Sequence, residues 1–525
     1  MRSAGHAPTT GAGAGINTDP GQGARGGHAK VGRGERGRGE GDGVAEDVGG
    51  TGTGVGVMRA PVLTGLGLAV IGVVFLVRYM TRRWTAFDLD EFMFALVGRD
   101  VLDGHVPFSG VFDNKPPGLI YLFASTEAVF GRSPTAVHVL GATAAAATAA
   151  LSYRDAPLRR VPLPAALAVA ALVSTLIVFL DGWAAMSELL ACPALIMANQ
   201  ILLRPDRPAG ARLIAAGALL GVACQISYLA APLAGPTALA ASVIGRPRLK
   251  AGLQALALIG LGFAGATLLV WGPQIATGNL VPMLQAQFAY HLHYRVQFSP
   301  TGFILGLLSP LYVLVVPFLA VVPASVRSDD RPAALIFALQ LAGALAVTAV
   351  SNRFYLHYLL LTLPAVSGLL ALLLSGNPRR NWTFAAAILL VSSAVYLLMD
   401  VTHIPERWAA GRFDRMVTSA IERNVGRGRP VLVFDESASF YFLSGSRPVT
   451  RYVFSRHYMP TCSESIMERP DTVLAEGLRR RPALVLLGQD CSSIESAASA
   501  VAAAGYRFTG RLSLGPRQVD VYTPR

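Results

Sequence analysis

Acid is scarce in this chain. Its 525 residues hold 32 Asp and Glu against 45 Lys and Arg, and charged residues make up only 15% of the whole. A soluble domain ordinarily carries about 25%, so an ordinary water-soluble enzyme is excluded. Cysteine is nearly absent too. Cys192 and Cys224 fall in apolar runs, Cys462 and Cys491 in the polar C-terminal part, and the four form no metal-ligand cluster. His291 and His293 in AYHLHYR lack a third ligand, and two interfacial histidines do not make a metal site. The run GTGTGVG lacks both a preceding strand and a following Gly-Lys-Ser/Thr, so it is low-complexity sequence and not a phosphate loop. The net charge of +13 is spread over a tail and short loops, which removes the case for a nucleic-acid face.

What is abundant is apolar sequence. Hydrophobic residues make up 52% of the chain and its mean hydropathy is +0.46. Repeated runs near the length of a bilayer span predict a polytopic α-helical membrane protein. Residues 1–58 form a Gly-, Ala- and Arg-rich tail with too little apolar surface to offset ordering entropy, so a disordered cytoplasmic segment is expected. The first apolar run begins too far from Met1 for a cleavable signal peptide.

About eleven spans are expected. They lie near Pro61–Met80, Thr135–Ser152, Val161–Leu180, Ala184–Leu203, Ala211–Tyr228, Ala230–Ile244, Leu253–Ile275, Gly302–Val322, Ala333–Val350, Tyr355–Leu374 and Trp382–Met399. Every second loop is basic: YRDAPLRR, RPDRPAGAR, GRPRLK, VRSDDRP and GNPRRN. Positive loops stay inside, which places the N-terminus in the cytoplasm and the stretch 84–134, Ser351–His357 and everything after Asp400 outside. Arg78, Arg82 and Arg83 pull against that orientation. The short, nearly continuous pair Ala211–Tyr228 and Ala230–Ile244 is its weakest point, because merging the two would invert the second half. The division is thus a tail 1–58, a transmembrane domain 59–403 and a domain 404–525. In the last, PVLVF and PALVLLG read as buried strands, TVLAEGLRR and SIESAASAVAAAGY as amphipathic helices, and RLSLGPRQVDVYTP as a hairpin. A small extracytoplasmic α/β domain is expected there, outside the reducing cytosol, where Cys462 and Cys491 could pair as a disulfide.

The scarce acid gathers in one place. The stretch FDLDEFMFALVGRDVLDGHVPFSGVFDNKPPG carries Asp88, Asp90, Glu91, Asp100, Asp103 and Asp113 between apolar segments. Ionisable groups at a membrane face are costly unless they bind or react with something. Carboxylates as close as Asp88, Asp90 and Glu91 raise one another's pKa, which suits a general base taking a proton from a hydroxyl. The plain alternative is a solvated loop whose acids mark the membrane boundary. Lys115 is followed by Pro116 and Pro117, which fix the backbone and hence the direction of its ammonium. It could pair a lipid phosphate or simply an aspartate. The next segment, LIYLFASTEAVFG, reads as an amphipathic helix lying in the interface.

These pieces, in this order, resemble a known group. Asp90-Glu91, then Leu102-Asp103-Gly104-His105-Val106-Pro107-Phe108, Lys115-Pro116-Pro117 and Phe130-Gly131 resemble the integral-membrane GT-C glycosyltransferases. The nearer family is the one that includes protein O-mannosyltransferases and the lipid A aminoarabinose transferase. Met186-Ser187-Glu188, Arg353 to Tyr358 with Pro364, and Ser444-Gly445-Ser446-Arg447-Pro448 extend the likeness. The resemblance implies a GT-C fold and transfer of a mannose- or arabinose-like sugar from a polyprenyl-phosphate donor to a glycan, lipid or protein of the cell envelope. It further implies a bacterial cytoplasmic membrane, inversion at the anomeric carbon, and no required cofactor, a divalent cation being optional. On it, Asp90 is the base, supported or replaced by Asp88 and assisted by Glu91. Lys115, Arg353, His357 and Tyr358 bind the donor phosphate, and Glu188, Asp113 and Tyr228 hold sugar or acceptor. Gln225 stands where many relatives carry a basic residue, which puts one phosphate contact on Tyr228 or nowhere. The rival classes are a polyprenyl-lipid transporter, which needs polar residues at span centres and broken helices, and a non-catalytic envelope scaffold.

Overall fold

The computed structural model describes residues 89–158, 163–182, 184–204, 210–243, 248–290, 331–351, 355–376, 411–434, 437–454, 468–488, 494–515 and 517–525, with a few isolated positions besides. The tail 1–58, most of the expected spans near Pro61–Met80, Gly302–Val322 and Trp382–Met399, and Asp88, His291, His293, Arg353, Cys462 and Cys491 lie outside those residues.

The acidic stretch is helical at both ends. Helix α1, Leu89–Leu102, opens with Asp90 and Glu91 in its first turn, where free N–H groups and the helix dipole favour carboxylates. Residues 103–116 connect it to α2, Pro117–Phe130, which begins with proline in its first turn, where a missing N–H costs nothing. Then follow α3 (Pro134–Leu158), α4 (Leu163–Phe179), α5 (Ser187–Leu202), α6 (Gly210–Ile226), α7 (Ala231–Val243), α8 (Leu249–Ala276) and the short α9 (Leu280–Leu284). Helix α10 spans Arg331–Ser351, and a 3-10 segment Leu356–Thr362 leads into α11, Leu363–Gly376.

Four of these stretches are long and apolar enough to cross a membrane: Pro134–Arg154, Leu249–Ala276, Arg331–Ala349 and Leu356–Ser375. Their settings differ. Along α8, Leu253, Leu261, Leu268 and Leu269 are open to the surroundings, Leu269 to 80%. Such a stripe on a helix long and apolar enough to span a membrane is what a lipid-facing surface needs. Leu363, Leu369, Leu370 and Leu373 of α11 are buried in the helical core. Helices α6 and α8 pack by their small residues. A Cβ on Gly217 would overlap the Ile259 carbonyl, and one on Gly262 the Ile214 carbonyl, so both must stay bare for the backbones to meet.

Helices α6 and α7 do not merge. Ser227 between them is extended, with φ −142° and ψ 118°, and Tyr228–Ala230 forms one 3-10 turn. Deeper in the bundle, Asn199 of α5 and Gln340 of α10 exchange two amide hydrogen bonds of 3.0 and 2.7 Å, and Gln340 also donates to Thr237 of α7 at 2.8 Å.

After a helical stretch over 411–425, the C-terminal part builds a five-stranded sheet, β1 Pro430–Phe434, β2 Arg447–Pro448, β3 Leu484–Gly488, β4 Tyr506–Leu514 and β5 Arg517–Pro524. Its order is β2-β1-β3-β5-β4, with β1 parallel to β2 and β3 and the β4–β5 hairpin antiparallel. The period-2 alternation splits its residues between two cores. Val431, Val433, Leu484 and Leu486 join the core that runs into the helical bundle, whereas Leu432, Phe434, Val485 and Leu487 pack with Val473 of α13 (Pro470–Arg479) and Val501 of α14 (Ile494–Ala503). The six-residue α12, Ser439–Ser444, follows β1 and packs against α1.

Candidate active site

Two adjacent carboxylates on a helix point about 100° apart, and the start of α1 uses both directions. Glu91 is wholly buried; its Oε2 accepts a hydrogen bond from the Ala185 N–H at 2.8 Å, and Oε1 lies 3.9 Å from Nε2 of His138. It ties α1 to the turn before α5 and to α3. Asp90 is half-buried and lies in the field of Lys115 and Asp113. The pair that the sequence offers as neighbours in one function is thus divided between an anchor and a site.

The connection 103–116 is shaped by its own acids. Asp100 Oδ2 accepts from the Val111 N–H at 3.0 Å and its Oδ1 meets His105 Nδ1 at 3.0 Å, while Asp103 pairs with Arg132 at 2.7 Å on the surface. Asp113 then folds the chain back. Its Oδ1 accepts from the N–H groups of Asn114 and Lys115 at 2.6 and 3.3 Å, the Asx turn that aspartate favours. Its Oδ2 is buried and, among the described residues, has no hydrogen-bond partner. Burial pushes the Asp113 carboxyl up to about 6; Asp90 adds to the rise, while Lys115 and the two N–H groups oppose it.

Pro116 and Pro117 carry the chain from this turn into α2, and Gly118 sits where a Cβ would strike the Gln225 carbonyl at the end of α6. The Lys-Pro-Pro-Gly run is therefore docked as well as stiff. The Lys115 Nζ lies 5.5 Å from the centre of the Phe94 ring, within cation–π range. Burial works to lower its pKa, yet Glu188, Asp90, Tyr358 and Asp113 together hold the ammonium above its usual range.

Glu188 enters from the first turn of α5, buried, its Oε1 accepting from Ser187 Oγ at 2.9 Å and Ser227 Oγ at 3.4 Å. The non-helical Ser227 is what brings that hydroxyl across. Tyr358 belongs to an aromatic group with His357 and Tyr355: the His357 ring stacks on Tyr355 at 5.3 Å and meets Tyr358 edge-on at 4.8 Å. Tyr228 lies in the field of Asp113, its ring 6.0 Å from Phe288. Gln225 accepts from Trp271 Nε1 at 2.9 Å, and Gln274 donates to the Tyr121 hydroxyl at 2.9 Å, so α2, α6 and α8 are pinned together beside the lysine.

Glu188, Asp90, Tyr358 and Asp113 thus all act electrostatically on the Lys115 ammonium, with Tyr228 in the field of Asp113 and His357 against Tyr358. Sequence reasoning named Ser187 only within Met186-Ser187-Glu188 and missed the supports Ser227, Trp271 and Gln274, because each reads as an ordinary polar residue at a span end until the partner is known. Among the described residues no group of three His, Cys, Asp or Glu side chains is placed to hold a metal ion.

No protein-family model and no curated protein sequence matches the chain. Solved structures do. The crystal structure of ArnT from Cupriavidus metallidurans bound to undecaprenyl phosphate superposes with a TM-score of 0.59 at 14% identity, covering 88% of this chain and 98% of that one. Its apo form gives 0.60 at 15% identity with the same coverage. At this identity the likeness speaks for the backbone alone: the chain shares the fold of ArnT over most of its length.

Proposed function

We propose that this protein is a membrane glycosyltransferase that moves a sugar from a polyprenyl-phosphate donor to a cell-envelope acceptor on the extracytoplasmic face. The observation that carries the reading is the Lys115 ammonium, held at a docked Pro-Pro corner in the electrostatic field of Glu188, Asp90 and Asp113. A fixed cation among carboxylates at a membrane boundary fits a substrate with one phosphate and several hydroxyls. Undecaprenyl phosphate bound to ArnT adds support for a lipid phosphate as the class.

In this mechanism the acceptor hydroxyl attacks the anomeric carbon from the face opposite the lipid phosphate. The bond from carbon to the phosphate oxygen breaks as the new one forms, so the configuration inverts. Asp90 takes the hydroxyl proton, and Asp88, two residues earlier, is the other candidate for that role. Charge growing on the departing polyprenyl phosphate is met by Lys115, with Arg353 supplying a second cation and His357 and Tyr358 donating hydrogen bonds. Glu188, Asp113 and Tyr228 accept from or donate to sugar and acceptor hydroxyls. The sugar is mannose- or arabinose-like, and the acceptor a glycan, lipid or protein.

The test is release or transfer of label from a mixed set of radiolabelled polyprenyl-phosphate sugars by protein in lipid nanodiscs. Turnover by the wild type that disappears in Asp90→Asn supports the reading and names the sugar. Donor binding without turnover, unchanged in Asp90→Asn, would move it to a lipid carrier or an envelope scaffold.

A further inference from the structure

The catalytic loop is held from outside the bundle, by one residue of the C-terminal part. Arg451, just after β2, grips the connection at two points. Its Nη2 donates to the Phe108 carbonyl at 3.1 Å, and its own backbone carbonyl accepts from the Phe112 N–H at 2.8 Å. Its guanidinium lies over the rings of Phe112 and Tyr452 at 5.7 and 5.5 Å, and those two rings lie 5.3 Å apart. Phe108 is buried with a positive φ of 72°, a conformation that an aromatic residue rarely adopts without outside support. Phe112 immediately precedes Asp113, so whatever fixes the Phe112 backbone fixes the start of the turn that aims Lys115.

We propose that Arg451 is a positioning residue for the transfer reaction: by holding Phe108 and Phe112 it sets the turn that places Asp113 and Lys115 opposite Asp90. The proposal rests on the glycosyltransferase reading for its consequence in turnover, but not for the geometry it describes. A second tie supports it. Arg99 of α1 donates to the Phe442 carbonyl at 3.1 Å with its guanidinium 4.3 Å from that ring, so the segment that grips the loop also holds the helix bearing Asp90. Both halves of the site are registered against the same short stretch of chain. The fork of an arginine suits this, since a compact ammonium cannot donate to the Phe108 carbonyl while staying near both the Phe112 and Tyr452 rings.

The experiment compares wild type, Arg451→Gln, Arg451→Lys and the surface control Arg480→Ala in nanodiscs. Three quantities are read: turnover of the labelled lipid-phosphate sugar against pH, thermal midpoint, and amide hydrogen exchange over 106–115. Misplacement by about an ångström costs up to about 10²-fold in rate, so Arg451→Gln is expected to lose roughly that factor in kcat, with Arg451→Lys intermediate and Arg480→Ala unchanged. A loosened turn also lets water reach Asp113, which faces Lys115, Asp90 and Tyr228. The pH limb near 6 then moves down toward the ordinary carboxylate range, a change that a mere loss of stability does not produce. Faster exchange over 106–115 in Arg451→Gln, at an unchanged thermal midpoint, supports the positioning role even if the wild type turns over no sugar, in which case the function reading alone fails. Exchange and pH limb identical to wild type in Arg451→Gln would overturn the proposal. Should Arg451→Gln fail to fold, Arg451→Lys decides on the same two readouts.

Discussion

Two polar clusters among the described residues, one around Gln340 and one around Lys115, are built on opposite rules. In the Asn199–Gln340–Thr237 network the two amides answer each other donor for acceptor, and the spare Gln340 N–H finds the Thr237 hydroxyl. Both amide oxygens and both Gln340 N–H groups are thereby used. Around Lys115 the balance is uneven: one ammonium stands among three carboxylates, and Asp113 Oδ2 is buried without a hydrogen-bond partner among the described residues. An orphaned acceptor away from water costs about 1–3 kcal/mol. The closed network ties α5, α7 and α10 together, whereas the open one leaves an acceptor for the substrate that the proposed function requires.

The contrast is broken most strongly at the lysine. Lys115→Ala is expected to lower turnover of the lipid-phosphate sugar by roughly 10²–10³-fold, the usual loss when one stabiliser of developing charge is removed, and to lower the thermal midpoint too, because Glu188, Asp90 and Asp113 lose their shared cation. An equal loss in Gln340→Leu would erase the distinction.

Asp113→Asn comes next, and its sign can be worked out. Asp113 titrates near 6 in the folded protein, above its ordinary 3.8. Its ionised form is the better acceptor for substrate hydroxyls, so wild-type activity should climb as pH rises to about 6. Asp113→Asn should flatten that limb, with about a tenfold smaller gain between pH 5 and 7. Stability runs the other way. A carboxyl whose folded pKa is raised favours the folded state while protonated, and that contribution fades between about pH 4 and 6 as it ionises. Wild type should therefore lose stability relative to Asp113→Asn over that window, as read by denaturation at a series of pH values.

Gln340→Leu strands the Asn199 amide and should cost about 1 kcal/mol in detergent unfolding, with little effect on turnover. The double variant with Asn199→Leu should recover part of it, because removing both partners of a buried pair is nearly neutral. Smallest of all is Asp103→Asn. Its pair with Arg132 is 42% exposed on both sides, so the change should stay within about 0.5 kcal/mol, although the Leu-x-Asp-Gly motif makes Asp103 conspicuous in the sequence.

Hydropathy alone located the helices from Pro134 to Val243, and the strands PVLVF and LVLLG were legible from their apolar runs. The Lys-Pro-Pro-Gly corner was legible because proline fixes backbone direction locally. What escaped depends on partners distant in sequence. Asp90 and Glu91 look equivalent in a linear text, yet the helical step sends Glu91 to Ala185 and His138 and leaves only Asp90 beside Lys115. The first half of the acidic stretch is helix α1, since Asp90 and Glu91 at an N-terminus stabilise its first turn; the segment after Pro117 is a helix, as expected. Gln225, notable for lacking a charge, turned out to receive Trp271 and to carry the backbone on which Gly118 rests. Arg451 carries no local signal at all.

The most direct test of the open-site account is equilibrium binding of undecaprenyl phosphate to protein in nanodiscs, for wild type, Lys115→Ala and Gln340→Leu. The account predicts saturable binding that Lys115→Ala loses by at least tenfold in affinity, about 1.4 kcal/mol, and that Gln340→Leu keeps. Equal binding by wild type and Lys115→Ala would contradict it.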